Sequence, residues 1–370
     1  MPKYSLATTI TAISPISITE PGLSYWDPET GYVGNRPTGF PCARTKRIPV
    51  GVNSDSGELS EENGAAKNNV RFLPYLPGNS LRGAIRRNAA DIVMDILKTR
   101  GEKLSFTLYH ILLCGAASAS PGRAANISEA ENAAKNPVAA LLGGGPHFLW
   151  SKYSMGLGYP VTKVTIAAGF VPDHFAGKAI NGNLIYGDFF VKKDDVKTGG
   201  RPVPSAVVDN WEEEAAAWLK HLEGGKERKK AEAKAKSEGQ KIAAEDEGGK
   251  VELSTVAATE AIIPGVTFYG LHLLDTDLGG EAMLGLFLLS WERLAQAQRL
   301  GGNWRKGYGR FLLNMTVKSG DVAFEPFAII NGQHELRRDQ PEVAAALAAW
   351  DAYAAKLTAN DINKAFQFEV

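Results

Sequence analysis

The chain has 370 residues, 44% hydrophobic and 22% charged, with 41 basic and 41 acidic side chains that cancel. Such a composition supports a sizeable core, and it excludes a uniformly basic domain, so an anionic partner must be met by a local patch. Two cysteines (Cys42, Cys114) outside any CxxC spacing, six histidines without an HxxxH pair and no apolar run of ~18–20 residues exclude a disulfide scaffold, a cysteine zinc site and a membrane-spanning helix.

Residues 4–14 alternate and are rich in β-branched side chains, which predicts a strand. Residues 20–70 are rich in Gly, Pro, Asn and Ser and predict a long loop, with a basic cluster at Arg44, Lys46 and Arg47. Pro77-Gly78-Asn79 reads as a turn and a helix cap. The apolar positions Leu81, Ala84, Ile85, Ala89, Ile92, Val93, Ile96 and Leu97 then keep helical spacing. Residues 104–145 read as a looser helical insertion, and strand-like runs return at 160–172 and 183–192. The block 209–250 is charge-mixed and Ala-rich. With almost nothing to bury it predicts a solvated arm, contact with nucleic acid being the alternative.

Strands are predicted at 251–258 and 265–274, an apolar helix at 280–299, a glycine-rich loop at 301–309, a strand at 310–317 and an amphipathic helix after Gln340. Together with the first strand and helix, this order supplies the parts of a ferredoxin-like α+β unit. No internal repeat is visible.

Two segments carry phosphate chemistry. At Leu76–Arg87 a helix start with Asn79 and Ser80 is followed by Arg82, Arg86 and Arg87. Open backbone amides and the positive end of the helix favour phosphate, and Arg82 and Arg86, four apart, share a face expected to point outward. The same residues also read as a well-capped helix with solvated arginines. At Gly301–Phe311 four glycines accompany Gly302-Asn303-Trp304-Arg305-Lys306, Tyr308 and Arg310. Glycines let amides approach a phosphate, Arg and Lys neutralise it, and Trp304 and Tyr308 offer stacking surfaces. Lys306-Gly307-Tyr308-Gly309 opens like the RNP1 pattern of RRM domains, and Arg310 breaks it. The GK[ST] ending of a P-loop is absent. A plain turn with incidental charge stays open. The paired acids Asp194-Asp195 and Asp275/Asp277 are of the kind that hold Mg²⁺, but both fall where solvated turns are expected. No cofactor or metal site is read from the residues.

PYLPGNSLRGAIRR, NPVAALLGGG, IIPGVTFYGLHLL and RLGGNWRKGYGRF resemble, in order and spacing, the conserved segments of CRISPR-associated RAMP proteins. The resemblance implies a hand-like single domain over 1–370, an α+β fold whose palm is a modified RRM. Its palm would comprise about 1–20, 71–100, 160–192 and 251–318, with insertions at 21–70 and 101–159. A thumb would lie within 188–262, with Lys192 and Lys193 against RNA, and a C-terminal helix at 340–358. It further implies a prokaryotic cytoplasmic subunit, most like the backbone subunits of type IV systems, that stacks with copies of itself along a guide crRNA. Its partners would be other effector subunits and a target strand, DNA favoured over RNA. Type III relatives cut target RNA with an aspartate after the first strand. Asp27 lies in that region, but its flanks differ, and the chain is read as non-catalytic. A target-cleaving RNase, a crRNA-processing endonuclease and a plain phosphate-binding α+β protein are the alternatives.

Overall fold

The computed structural model describes residues 3–20, 24–26, 33–34, 40–51, 70–115, 125–193, 213 and 254–367. The chain forms two compact units, Met1–Pro21 with Arg44–Tyr186 and Glu260–Val370, and Gly22–Ala43 with Gly187–Thr259.

The first unit is built on an antiparallel sheet. Strand β1 (Lys3–Ala12) buries Tyr4, Leu6, Thr8, Ile10 and Ala12 on one face, the period-2 consequence of its alternating sequence. It lies between two strands near the C-terminus, Thr267–Asp275 and Phe311–Ser319, with Ile10 opposite Phe268 on one side and Leu313 on the other. Two short strands, Tyr153–Met155 and Tyr159–Pro160, extend the sheet beyond Thr267–Asp275. The long helix α1 (Gly78–Thr99) follows β1 in the palm, and Gly280–Ala297 connects the two late strands. Taken in palm sequence, the strand order is fourth, first, third, second, the ferredoxin-like arrangement.

Both helices pack on the buried face. Leu81, Ile85, Val93 and Leu97 of α1 join Phe287, Trp291 and Leu294 in one core with Leu6, Phe268 and Phe311. Burial of each large side chain contributes roughly 1.5–3 kcal/mol. The C-terminal chain adds the hairpin Phe327–Ile330/Gln333–Leu336 and two helices, Pro341–Ala354 and Ala359–Gln367. The sequence led us to expect one helix there.

Several expected elements differ. Residues 160–172 are not a palm strand. Thr162 caps a short helix, Lys163–Ala167, through its hydroxyl and the Thr165 amide, and a 3-10 turn follows at Asp173–Lys178. The capping hydroxyls win over β-branched propensity here. The second palm strand is the interrupted pair at 153–160 instead. Strands Ile185–Lys193 and Ser254–Ile262 belong to a separate five-stranded sheet with Phe40–Ala43, Ser24–Trp26 and Val33–Gly34. The expected loop at 20–70 thus contains short strands, and Arg47–Gly51 pairs with Val70–Pro74. The arm at 209–250 lies outside the described residues apart from Glu213.

Candidate nucleic-acid interface

The glycine loop leaves the helix Gly280–Ala297 and re-enters the sheet at Phe311. Its backbone is fixed at both ends. The Gly302 amide donates to the Ser17 carbonyl at 2.7 Å, and the Gly309 amide to Pro15 at 2.8 Å. Leu300 donates back to the Gly309 carbonyl at 3.1 Å. Between these ties Trp304–Lys306 form one 3-10 turn, with Asn303 at φ 58 and its amide side chain 3.5 Å from Ser17 Oγ. Trp304, Arg305, Lys306 and Arg310 are exposed. The Arg299 and Arg305 guanidiniums lie 4.4 and 5.2 Å from the Trp304 ring centre, within cation–π range. Arg310 is oriented by a 3.1 Å bond from its Nε to Gln298.

Tyr308 departs from the expected stacking role. It is buried, with its hydroxyl 3.2 Å from that of Tyr186. The RNP1-like run therefore lies in the loop before the strand, and its ring points into the protein. The open face of the palm sheet is likewise not an RRM platform. Tyr269 on that face is covered by Val161, Val171 and Phe175, while Leu271 and Leu273 stand exposed.

The basic cluster Arg44, Lys46 and Arg47 is tied to the same stretch of chain as the glycine loop. Residues 15–20 run between it and the glycine loop. Ser17 pairs with Gly302, Thr19 pairs with Thr45, and the Lys46 amide donates to the Ile18 carbonyl at 2.8 Å. Two of its three cations are paired. Arg47 meets Glu260 at 2.8 Å, a carboxylate that also accepts from the Thr45 amide at 2.7 Å, and Arg44 lies 3.6 Å from Glu20. Arg44 and Arg47 are therefore partly spent on structure, and Lys46 is half-buried.

At the start of α1 the cap is Pro77, not Asn79. Its carbonyl accepts from the Ser80 and Leu81 amides, which leaves the Asn79 and Ser80 side chains exposed. Arg82 is half-buried and Arg87 exposed. Arg86 corrects the sequence reading. It is buried, and its guanidinium donates to Ile111 at 3.1 Å, Leu112 at 3.3 Å, Gly143 at 3.0 Å and also to Leu142. These carbonyls end the helices Phe106–Cys114 and Pro137–Leu142, where a buried cation adds a donor to the C-terminal acceptors, Ile111 also accepting from the Gly115 amide at 2.8 Å. Burial, with a smaller contribution from the Arg82 charge, lowers its pKa to about 10, so it stays charged at neutral pH. Positions 82 and 86 share a helix face, but only Arg86, in the third turn, is roofed.

A model of the RAMP superfamily matches residues 9–312, from within β1 to the start of the last palm strand. The chain belongs to the RAMP superfamily. Among solved structures, a chain of a type IV-B CRISPR complex aligns at TM-score 0.43 and 14% identity, over 86% of this chain and 92% of that one. No curated protein matches.

In this RAMP chain the four family-like segments form the start of α1, the Pro137–Leu142 helix with its following turn, the turn into Thr267–Asp275 and the glycine loop. Lys192 and Lys193 fall at the end of strand Ile185–Lys193, and their side chains lie outside the described residues, as do Asp27 and Asp194-Asp195. Asp275 accepts from the Asp277 amide at 3.1 Å, the expected acidic turn. Among the described residues no three His, Cys, Asp or Glu side chains gather as a metal site, and no helix is long and apolar enough to cross a membrane. Sequence reasoning missed Arg299, which the predicted helix 280–299 absorbed as its last residue, whereas the helix ends at Ala297. It also missed Phe148 and Trp150, which stand 64% and 89% exposed on the turn after Leu142. The signal for that turn was the run Gly143-Gly144-Gly145.

Proposed function

We propose that this RAMP chain is a backbone subunit of a CRISPR effector complex that holds crRNA by its phosphates, with little base preference. The observation that carries the reading is the glycine loop, where exposed Arg299 and Arg305 flank an exposed Trp304 and exposed Lys306 and Arg310 stand on the same loop, on a backbone pinned to Ser17 and Pro15. A rigid frame bearing long, flexible cations suits a polyanion whose sequence is read by base pairing and not by the protein. The reading includes stacking of further copies along the guide, type IV kinship, partner effector subunits, a DNA target and a cytoplasmic setting, and no catalytic step by this chain. Family membership and the order of the four segments support it.

The test is purification without nuclease, followed by the 260/280 nm absorbance ratio, sizing, and crRNA binding across a salt series. Co-purified RNA, a multimer and an affinity falling steeply with salt are expected. A clean protein ratio with a monomer and no RNA affinity would overturn it. Cleavage of a complementary RNA by wild type, abolished in Asp27→Ala, would replace it with the nuclease reading.

A further inference from the structure

A groove of about 1060 Å³ runs along the first three turns of α1, with Arg82 and Arg87 on one wall and Phe148 and Trp150 on the other. Among the described residues that line it, none carries a carboxylate. Its aromatic wall is rigidly built. The Gly144 and Leu149 amides exchange hydrogen bonds at 2.7 and 3.0 Å, Gly145 donates to the Gly115 carbonyl at 3.0 Å, and Ser151 Oγ donates to Leu141 at 2.6 Å. Gly144 has φ +94, and a side chain there would collide with the Gly115 carbonyl. Arg86 ties the start of this turn, at Leu142 and Gly143, to α1. A turn held this firmly nevertheless leaves an indole 89% exposed. Large aromatics are normally drawn into cores, so a pinned, solvent-facing Trp is a contact surface.

We infer that this groove seats single-stranded nucleic acid, with phosphate on Arg82 and Arg87 and a base stacked on Trp150, Phe148 flanking it. Two arginines with no carboxylate in the groove lining favour an anion, although Asp91, one turn past Arg87, offsets part of that charge, and an aromatic face opposite selects an anion that carries a flat ring. The inference rests on the RNA-binding reading above and adds a second, base-contacting site to the phosphate-holding loop. Stacking is tolerant of sequence, so the site grips bases without reading them.

The experiment compares an oligouridylate with an abasic oligomer of equal length and charge, by fluorescence anisotropy on the full chain. Trp150→Ala and Trp150→Leu should weaken the oligouridylate about tenfold or more and leave the abasic probe unchanged. Trp150→Tyr should retain most of the affinity. Arg82→Ala with Arg87→Ala should weaken both probes. Equal weakening of both probes by Trp150→Leu, or of neither, overturns the stacking site, as does a protein partner displaced by Trp150→Leu without any effect on nucleotide binding. Wild type that binds neither probe overturns the RNA-binding reading as well. Wild type that binds both, is weakened by Arg305→Ala with Lys306→Ala, and ignores Trp150 overturns this inference alone.

Discussion

The Arg86 guanidinium donates to the Gly143 carbonyl at 3.0 Å, joining the third turn of α1 to the end of a helix 57 residues away. The neighbouring arginine Arg82, four residues earlier, has no such roof.

The two arginines should therefore behave differently. Arg86→Ala removes the donor that reaches the buried Leu142 and Gly143 carbonyls, while Ile111 keeps the Gly115 amide, and should cost about 3–5 kcal/mol. Arg82→Ala should stay within about 1 kcal/mol of wild type, since a half-exposed arginine contributes little to stability. Urea denaturation of both variants checks this. Equal stability would mean that Arg86 does not hold the two helix ends.

In the glycine loop, Gly307 and Gly309 both have left-handed backbones, φ +85 and φ +86, but different surroundings. A Cβ at Gly307 meets open space, whereas one at Gly309 would sit 2.5 Å from the Leu300 carbonyl. Gly307→Ala should cost about 1–2 kcal/mol from backbone strain alone. Gly309→Ala should cost more and also weaken RNA binding, because the loop must leave Leu300 and Pro15. Thermal melting paired with RNA titration separates the two.

Arg305 and Lys306 are expected to bind phosphate. Replacing both with Ala should reduce the slope of log affinity against log salt by about 0.7 for each single-strand phosphate no longer neutralised. Tyr308→Phe should leave that slope unchanged. It removes the buried hydroxyl that meets Tyr186 and should cost about 1 kcal/mol of stability. A slope lowered by Tyr308→Phe would restore the tyrosine to the interface.

His272 links stability to pH. Its Nδ1 accepts from the Gly156 amide at 3.1 Å, so Nε2 carries the proton toward Thr8 Oγ1 at 2.8 Å. Burial pushes its pKa from 6.5 down to about 4. Between those values the unfolded chain binds the proton and the folded one does not, so stability falls as pH drops from 6.5 toward 4. The loss amounts to about 2–3 kcal/mol. His334, also lowered by burial, acts with the same sign. Urea midpoints across this range should show a smaller slope in His272→Gln than in wild type. An unchanged slope would remove His272 as a contributor.

The sequence by itself determined the elements whose signal is local. Alternation made β1, helical spacing made α1 and the helix Gly280–Ala297, and four short segments in a fixed order marked the superfamily. The glycine loop was legible because backbone freedom and charge are written in adjacent residues. Only the tertiary structure decided what those side chains face. Whether Arg86 meets water or four carbonyls depends on two helix ends at 111–112 and 142–143. Whether Tyr308 stacks or packs depends on Tyr186. The second palm strand at 153–160 is too short and broken to show a period, and it exists because the edge of Thr267–Asp275 accepts it. The same distance-blindness hid Trp150, an exposed aromatic that only the folded turn identifies as pinned. Periodicity reports which face of an element is apolar, but burial of a polar residue is set by what the chain later lays over it.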